Sequence, residues 1–505
     1  MKEGFKEDYF LLVRRLRENS RLGGIMGILH WDQEVIMPEG ASESRAQQIG
    51  ALAGVLHEKI IHPEMGKLLD RLPMADENGF THFEWCNIRE ARREFNMATR
   101  IPKTLVTELA ELSSRAHQVW VKARAENKFS DFAPVLKRLV DLKIKWAGYV
   151  FPQMQAYDAN IDNYERGTTQ NDITPVFDKL KAELIPLIKS IKESGYHPDT
   201  SFLSGQFPVD KQEALGRQIS EDMGFQFDKG RMDVSVHPFC GGSHPTDVRI
   251  TTRYQKDNFI ESLYAVIHET GHGLYEQGRM QNGRDLPVSE ALTMAIHESQ
   301  SLFWERMIAQ GRPFCLRYLP LIADTFPNNF KNVTPESFYE AVNVSQPSFI
   351  RVQADEVTYP MHVILRYELE KGLFDGTIRV EDLPGMWNAK MKEYLGIEPP
   401  TDTLGVLQDT HWSGGAFGYF PSYTLGAIYA SQFYNALIQA KPDTEKQIEA
   451  GNLASIRDWL GVKIHQQGRL LSVPVLVKQV TGGILNPDHF LDYLKNKYRQ
   501  IYRLN

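Results

Sequence analysis

Ala265-Val266-Ile267-His268-Glu269-Thr270-Gly271-His272-Gly273-Leu274-Tyr275 sets two histidines four residues apart, with a glutamate directly after the first, inside an apolar run. On an α-helix, residues i and i+4 share a face, so His268 and His272 can offer two imidazoles to one metal ion. Glu269 stands next to that face, where a carboxylate can take a proton from water as the general base of a zinc hydrolase. Ala265, Val266 and Ile267 lead into the motif, Leu274 follows it, and no proline interrupts residues 255–286, all of which suits a buried helix. Gly271, Gly273 and Gly278 oppose helix formation by about 1 kcal/mol each relative to alanine. Small residues there let a second segment, or a substrate, come close to the metal.

A catalytic zinc usually takes three protein ligands and leaves a position for water, so one more His, Glu or Asp is needed. The helix-compatible stretch Ser289 to Gln300 offers Glu290, His297 and Glu298. Glu290 and His297 share a helix face, whereas Glu298 is turned by about 100° from His297. Spacing leaves all three open; those that do not ligate would orient the histidines or serve as capping and surface residues. A rival cluster, His237, Cys240 and His244, lies in a turn-rich loop. It lacks a fourth Cys or His at a familiar spacing, so ordinary hydrogen-bonded loop residues are expected there.

Elsewhere helical periodicity dominates. Leu105, Leu109, Leu112, Ala116, Val119 and Ala123 recur at three and four residues behind Pro102, which suits a first helical turn. Leu136, Leu139, Val140 and Ile144 continue the pattern after Asp131 and Pro134, and Thr174-Pro175 and Thr334-Pro335 each read as an N-cap followed by a first-turn proline. Strand-like alternation is confined mainly to Met232, Val234 and Val236, then the turn-rich Cys240 to Pro245, then Val248 and Ile250, which predicts a short hairpin. An edge strand beside the metal helix could hold an extended peptide, although a small stabilising ribbon explains the pattern equally well. No repeat, low-complexity linker or composition shift marks a second domain, so residues 1–505 are expected to form one large, mainly α unit.

The net charge of −7 is modest for 505 residues and the charges are interspersed, which argues against nucleic acid as a partner. No apolar run approaches the roughly 18 residues of a membrane span, and the stretch from Tyr9 to Val13 is too short for a signal-peptide core. Cys86, Cys240 and Cys315 are odd in number and widely spaced, unlike a disulfide framework, so a cytoplasmic location is expected.

Six motifs carry a resemblance to the carboxypeptidase Taq family of metallopeptidases: His237-Pro238-Phe239; Asp247-Val248-Arg249-Ile250-Thr251; His268-Glu269-Thr270-Gly271-His272; His297-Glu298-Ser299-Gln300; Ile350-Arg351-Val352-Gln353-Ala354-Asp355; and Gly405-Val406-Leu407-Gln408-Asp409-Thr410-His411-Trp412. The segments Trp31 to Pro38 and Tyr419 to Gly426 also resemble the family, so the likeness spans nearly the whole chain. The resemblance implies that Glu298 is the third ligand beside His268 and His272, holding one divalent metal per chain, with zinc the default and cobalt or manganese also acceptable. It further implies a helical fold with two lobes around a deep cleft, similar to neurolysin and angiotensin-converting enzyme, and a homodimer.

The function so implied is removal of single C-terminal residues from peptides, with broad preference and little use of proline. Glu269 would act as base, while Tyr423 and His411 are candidates to stabilise the oxyanion, with Tyr419 an alternate. An exopeptidase also needs a fixed cation for the substrate's α-carboxylate, which arginine binds in bidentate fashion. The resemblance favours Arg351 over Arg249 for this role. Each has a structural alternative, since Asp355 lies at i+4 from Arg351 and Asp247 precedes Arg249 closely. His237 and Trp412 would wall the cleft or pack the core. Two other functions compete: an oligopeptidase or dipeptidyl-carboxypeptidase using the same site, and a non-catalytic peptide-binding scaffold stabilised by metal.

Overall fold

The Leu105 periodicity forms the helix Lys103–Ala125, which buries Leu105, Leu112, Ala116 and Ala123. Pro102 is its N-cap, one position outside the first turn. The partner helix Phe129–Val150 buries Leu136, Leu139 and Val140, but Ile144 faces outward, 37% exposed. This computed structural model describes residues 3–74 and 79–504. Thr334 caps Pro335–Val342 as expected, its hydroxyl accepting from the Ser337 N–H. Thr174-Pro175 does not start a helix: Thr169 does, in a capping box with Asp172, so Pro175 falls inside Gln170–Glu193. Pro175 has no N–H to donate to the Asn171 carbonyl, so the helix carries it with one backbone bond fewer near its N-terminus.

Most of the chain packs around one apolar cluster that runs from Leu105 to Tyr502. The first hundred residues keep a smaller cluster of their own, in which Leu12, Leu16, Leu68 and Ile88 meet Leu286 and Val288 from the body. Among the described residues, no helix is long and apolar enough to cross a membrane.

The strand region does contain a hairpin, but its first strand is the turn-rich stretch and not Met232 to Val236. The region is a three-stranded sheet, with β1 (Gly230–Val234), β2 (Cys240–His244) and β3 (Asp247–Thr252) in the order β1-β3-β2. β1 runs parallel to β3, and β2 antiparallel to it. The turn-rich stretch is thus itself a strand. The chain crosses the end of β3 between β1 and β2, where the Ser235 N–H donates to Thr252 O and the Thr251 N–H to Phe239 O. Val248 and Ile250 point into the core, but Val234 and Val236 are exposed, so the upstream alternation does not mark a buried face.

Candidate metal centre

The motif helix spans Phe259–Gly278 and starts at Asn258, whose side chain accepts from the Glu261 N–H. Val266, Ile267 and Leu274 bury one side of it. His268 and His272 lie one turn apart on the other, ring centroids 4.9 Å from each other. The second helix begins only at Met294, capped by Thr293, and runs to Leu302. Glu290 precedes it in extended backbone and pairs with Arg469 at 2.8 Å. Glu298 turns toward them, with Oε2 3.4 Å from His272 Nε2 and 3.8 Å from His268 Nε2.

Among the described residues, His268, His272 and Glu298 are the one group whose ligand-type atoms all fall within 4.8 Å of one another. The rival cluster does not assemble: His244 engages Thr246 and Asp285, and burial pushes the Cys240 thiol well up. Close helix approach makes the trio possible. A Cβ on Gly271 would stand 2.7 Å from Ser301 Cα, and one on Gly426 would stand 2.8 Å from Glu298 Cγ. Glycine at both positions lets Glu298 be held from two sides.

Each histidine is oriented through its other ring nitrogen. His268 Nδ1 meets Glu305 Oε2 at 2.6 Å. His272 Nδ1 meets His297 Nδ1 at 2.6 Å, His297 Nε2 meets Glu276 Oε1 at 3.0 Å, and Arg279 donates to Glu276 at 2.8 Å. Protons assigned along that chain, from His272 to His297 to Glu276, leave the His272 Nε2 lone pair facing Glu298. Glu305 was not among the sequence candidates. It lies in a π-helical turn, Phe303–Ala309, that continues the Glu298 helix, and its seven-residue spacing from Glu298 is the only sequence signal that points to it.

Burial would hold the carboxyls of this pocket neutral, but the imidazoles outweigh it at Glu298, which is drawn down to about 2. Burial also opposes charge on His268, yet Glu298 and Glu305 push it up to about 9. Glu269 is 6% exposed, and its Oε2 has no hydrogen-bond partner among the described residues. Burial pushes Glu269 up to about 7, with His268 opposing and Glu298 adding to the rise. Two imidazole nitrogens, one carboxylate and an orphaned carboxylate oxygen beside them suit a divalent cation, which would offset the pocket's crowded negative charge.

The remaining candidates divide into two groups. His411, Tyr419 and Tyr423 come together: Tyr423 Oη is 3.4 Å from His411 Nε2, and the two tyrosine rings are 5.3 Å apart. Arg351 joins them, its guanidinium 4.9 Å from the Tyr423 ring centre. It is 5% exposed and already engaged: Nε and one terminal nitrogen reach Asp409 at 3.0 and 2.9 Å, and the other donates to Tyr359 Oη at 2.6 Å. Its ion-pair partner is thus Asp409, shared with Arg366, and not Asp355 at i+4. Asp355 instead accepts from Ser345, Val357 and Thr358.

Arg249 and His237 stand apart from this group. Arg249 makes a bidentate pair with Asp247 and stacks on Trp31, 4.7 Å from the ring centre. His237 is exposed on the crossover between β1 and β2. Trp412 is buried and donates to Glu370.

A family model described as carboxypeptidase Taq (M32) metallopeptidase matches residues 12–498. Carboxypeptidase 1 of Bacillus subtilis is 38% identical over 500 residues, covering 99% of each chain. Thermostable carboxypeptidase 1 of Thermus thermophilus is 37% identical, covering 98% of this chain and 99% of its own. The crystal structure of an M32 carboxypeptidase from Deinococcus radiodurans superposes with a TM-score of 0.96 at 35% identity, covering 98% of this chain and 100% of that one.

Proposed function

This chain belongs to the carboxypeptidase Taq (M32) metallopeptidase family and is a metallocarboxypeptidase, a peptide-bond hydrolase, and from that premise we propose how its residues divide the work. The observation that carries the reading is the convergence of His268, His272 and Glu298 beside the unpartnered Glu269 oxygen. His268, His272 and Glu298 would hold one divalent ion, zinc by donor preference, with cobalt or manganese acceptable. When bound, such an ion supplies Lewis-acid charge at the scissile carbonyl and makes water more acidic.

Glu269 takes the proton of the attacking water as its oxygen bonds to the carbonyl carbon, and returns that proton to the amine nitrogen as the C–N bond breaks. The Tyr423 hydroxyl, positioned by His411, donates to the developing oxyanion, with Tyr419 beside it as the alternate. Burial draws His411 down to about 4, so it serves as a neutral imidazole. Arg351 receives the substrate's terminal carboxylate. Its planar fork is held by Asp409 and Tyr359, so little ordering is required when substrate binds. Arg249 stacks on Trp31 and, unlike Arg351, is not seen against Tyr423, so we assign it and the exposed His237 a wall-forming role.

The products on this reading are single C-terminal residues of broad type, excluding proline. The enzyme is a single-domain, two-lobed, neurolysin-like homodimer in the cytoplasm. Mass spectrometry of a ten-residue peptide and its C-terminally amidated copy tests the central claim. A ladder of single losses from the free acid alone, stopped by a chelator, supports it. Equal internal cleavage of both peptides makes the enzyme an oligopeptidase, and absence of any cleavage by metal-loaded protein favours a binding scaffold.

A further inference from the structure

Two fully buried carboxylates outside the metal centre make no ion pair with any cation among the described residues, yet both grip the segment that carries His411, Tyr419 and Tyr423. Glu370, on the helix Tyr359–Asp375, has no exposed surface. Its Oε1 accepts from Trp412 Nε1 at 2.7 Å, and its Oε2 accepts from the Gly418 N–H and the Tyr157 hydroxyl, both at 2.8 Å. Glu165, 1% exposed, accepts with one oxygen from Ser422 Oγ at 2.7 Å and from the Ala295 N–H at 2.6 Å. Ala295 belongs to the first turn of the Glu298 helix, so Glu165 joins that helix to the start of Pro421–Ala440.

We propose that Glu370 and Glu165 are positioning residues for the peptidase reaction, clasping residues 412–422 at both ends so that His411, Tyr419 and Tyr423 stay aimed at the metal centre. An ionisable group is a costly way to fill a core. Burial accordingly pushes both carboxyls up to about 7. The geometry shows what they supply in return, since one carboxylate satisfies donors from chain segments that make no regular secondary structure with each other. An amide cannot replace Glu370, because whichever way it is turned, its NH2 meets either the Trp412 N–H or the Gly418 N–H. The clamp acts through Tyr423 and so rests on the role proposed for that residue above.

The test combines Glu370→Gln with the milder Trp412→Phe and Ser422→Ala, each of which removes one donor and keeps most of the packing. Metal content, kcat, KM and hydrogen exchange of residues 411–423 are measured for each, alone and with Tyr423→Phe. We expect full metal content, KM within 2-fold of the parent, kcat down about 10-fold or more, and faster exchange confined to 411–423. In the Tyr423→Phe background the further loss of kcat should be under 2-fold, because a residue acting through Tyr423 has nothing left to position. Unchanged exchange and kcat in Trp412→Phe and Ser422→Ala overturn the clamp, as do losses that multiply in the double variants. If Tyr423→Phe alone leaves kcat intact, the role of Tyr423 has failed, and exchange by itself then decides whether the clamp exists.

Discussion

His268 Nδ1 lies 2.6 Å from Glu305 Oε2, a contact between the motif helix and a π-helical turn 37 residues further along the chain. Such a carboxylate fixes the imidazole's rotation and raises its basicity toward a metal. Glu305→Gln should therefore weaken metal affinity by roughly 10- to 100-fold while leaving the helical content intact. Competition with a chromophoric chelator measures this, and an unchanged dissociation constant would remove Glu305 from the centre.

Glu269→Gln keeps the side chain's shape and touches none of the three ligand residues. Metal stoichiometry should stay at the parent value while kcat falls by roughly 10²- to 10⁴-fold, the usual range for loss of a general base. Wild-type turnover in this variant would rule out Glu269 as the base.

Arg351→Ala removes the cation proposed to receive the terminal carboxylate. KM for free-acid peptides should rise by the equivalent of at least about 2 kcal/mol, near 30-fold. Amidated peptides lack the charge, so the variant should treat both substrates alike. A retained preference for the free acid would move the anchor elsewhere.

Asp409 lies between Arg351 and Arg366, and although its burial favours the neutral acid, the two guanidinium groups hold the carboxyl far below its ordinary value of 3.8. A depressed carboxyl stabilises the fold above its unfolded pKa and loses that contribution as pH falls toward its folded one. Asp409→Asn should thus cost about 3–5 kcal/mol near neutral pH, where it leaves two buried arginines unpaired. The gap to the parent should narrow below about pH 4, where the unfolded parent starts to bind the proton that its folded state refuses. Denaturant unfolding at pH 7 and pH 3.5 gives the comparison; a gap that widens in acid contradicts the sign.

The one-turn spacing of His268 and His272 and the place of Glu269 beside them follow from helix geometry, so they were legible in the sequence. Glu298 was not decided by spacing. The family resemblance favours it, and in the structure Glu290 lies before the helix that begins after Thr293. The helical character of the chain was also local information, carried by three-and-four periodicity and capping residues such as Thr334.

What the sequence could not supply were partners distant in the chain. Arg351 has an aspartate at i+4, the pairing that local rules favour, yet tertiary packing brings Asp409 to it and leaves Asp355 to cap a turn. The same holds for Glu305 on His268, for His297 on His272, and for β1 lying parallel to β3 beyond the β2–β3 hairpin. Helix periodicity depends only on neighbours within a turn or two, whereas each of these contacts depends on how whole helices pack, a choice made by the summed burial of the core rather than by any short stretch of residues.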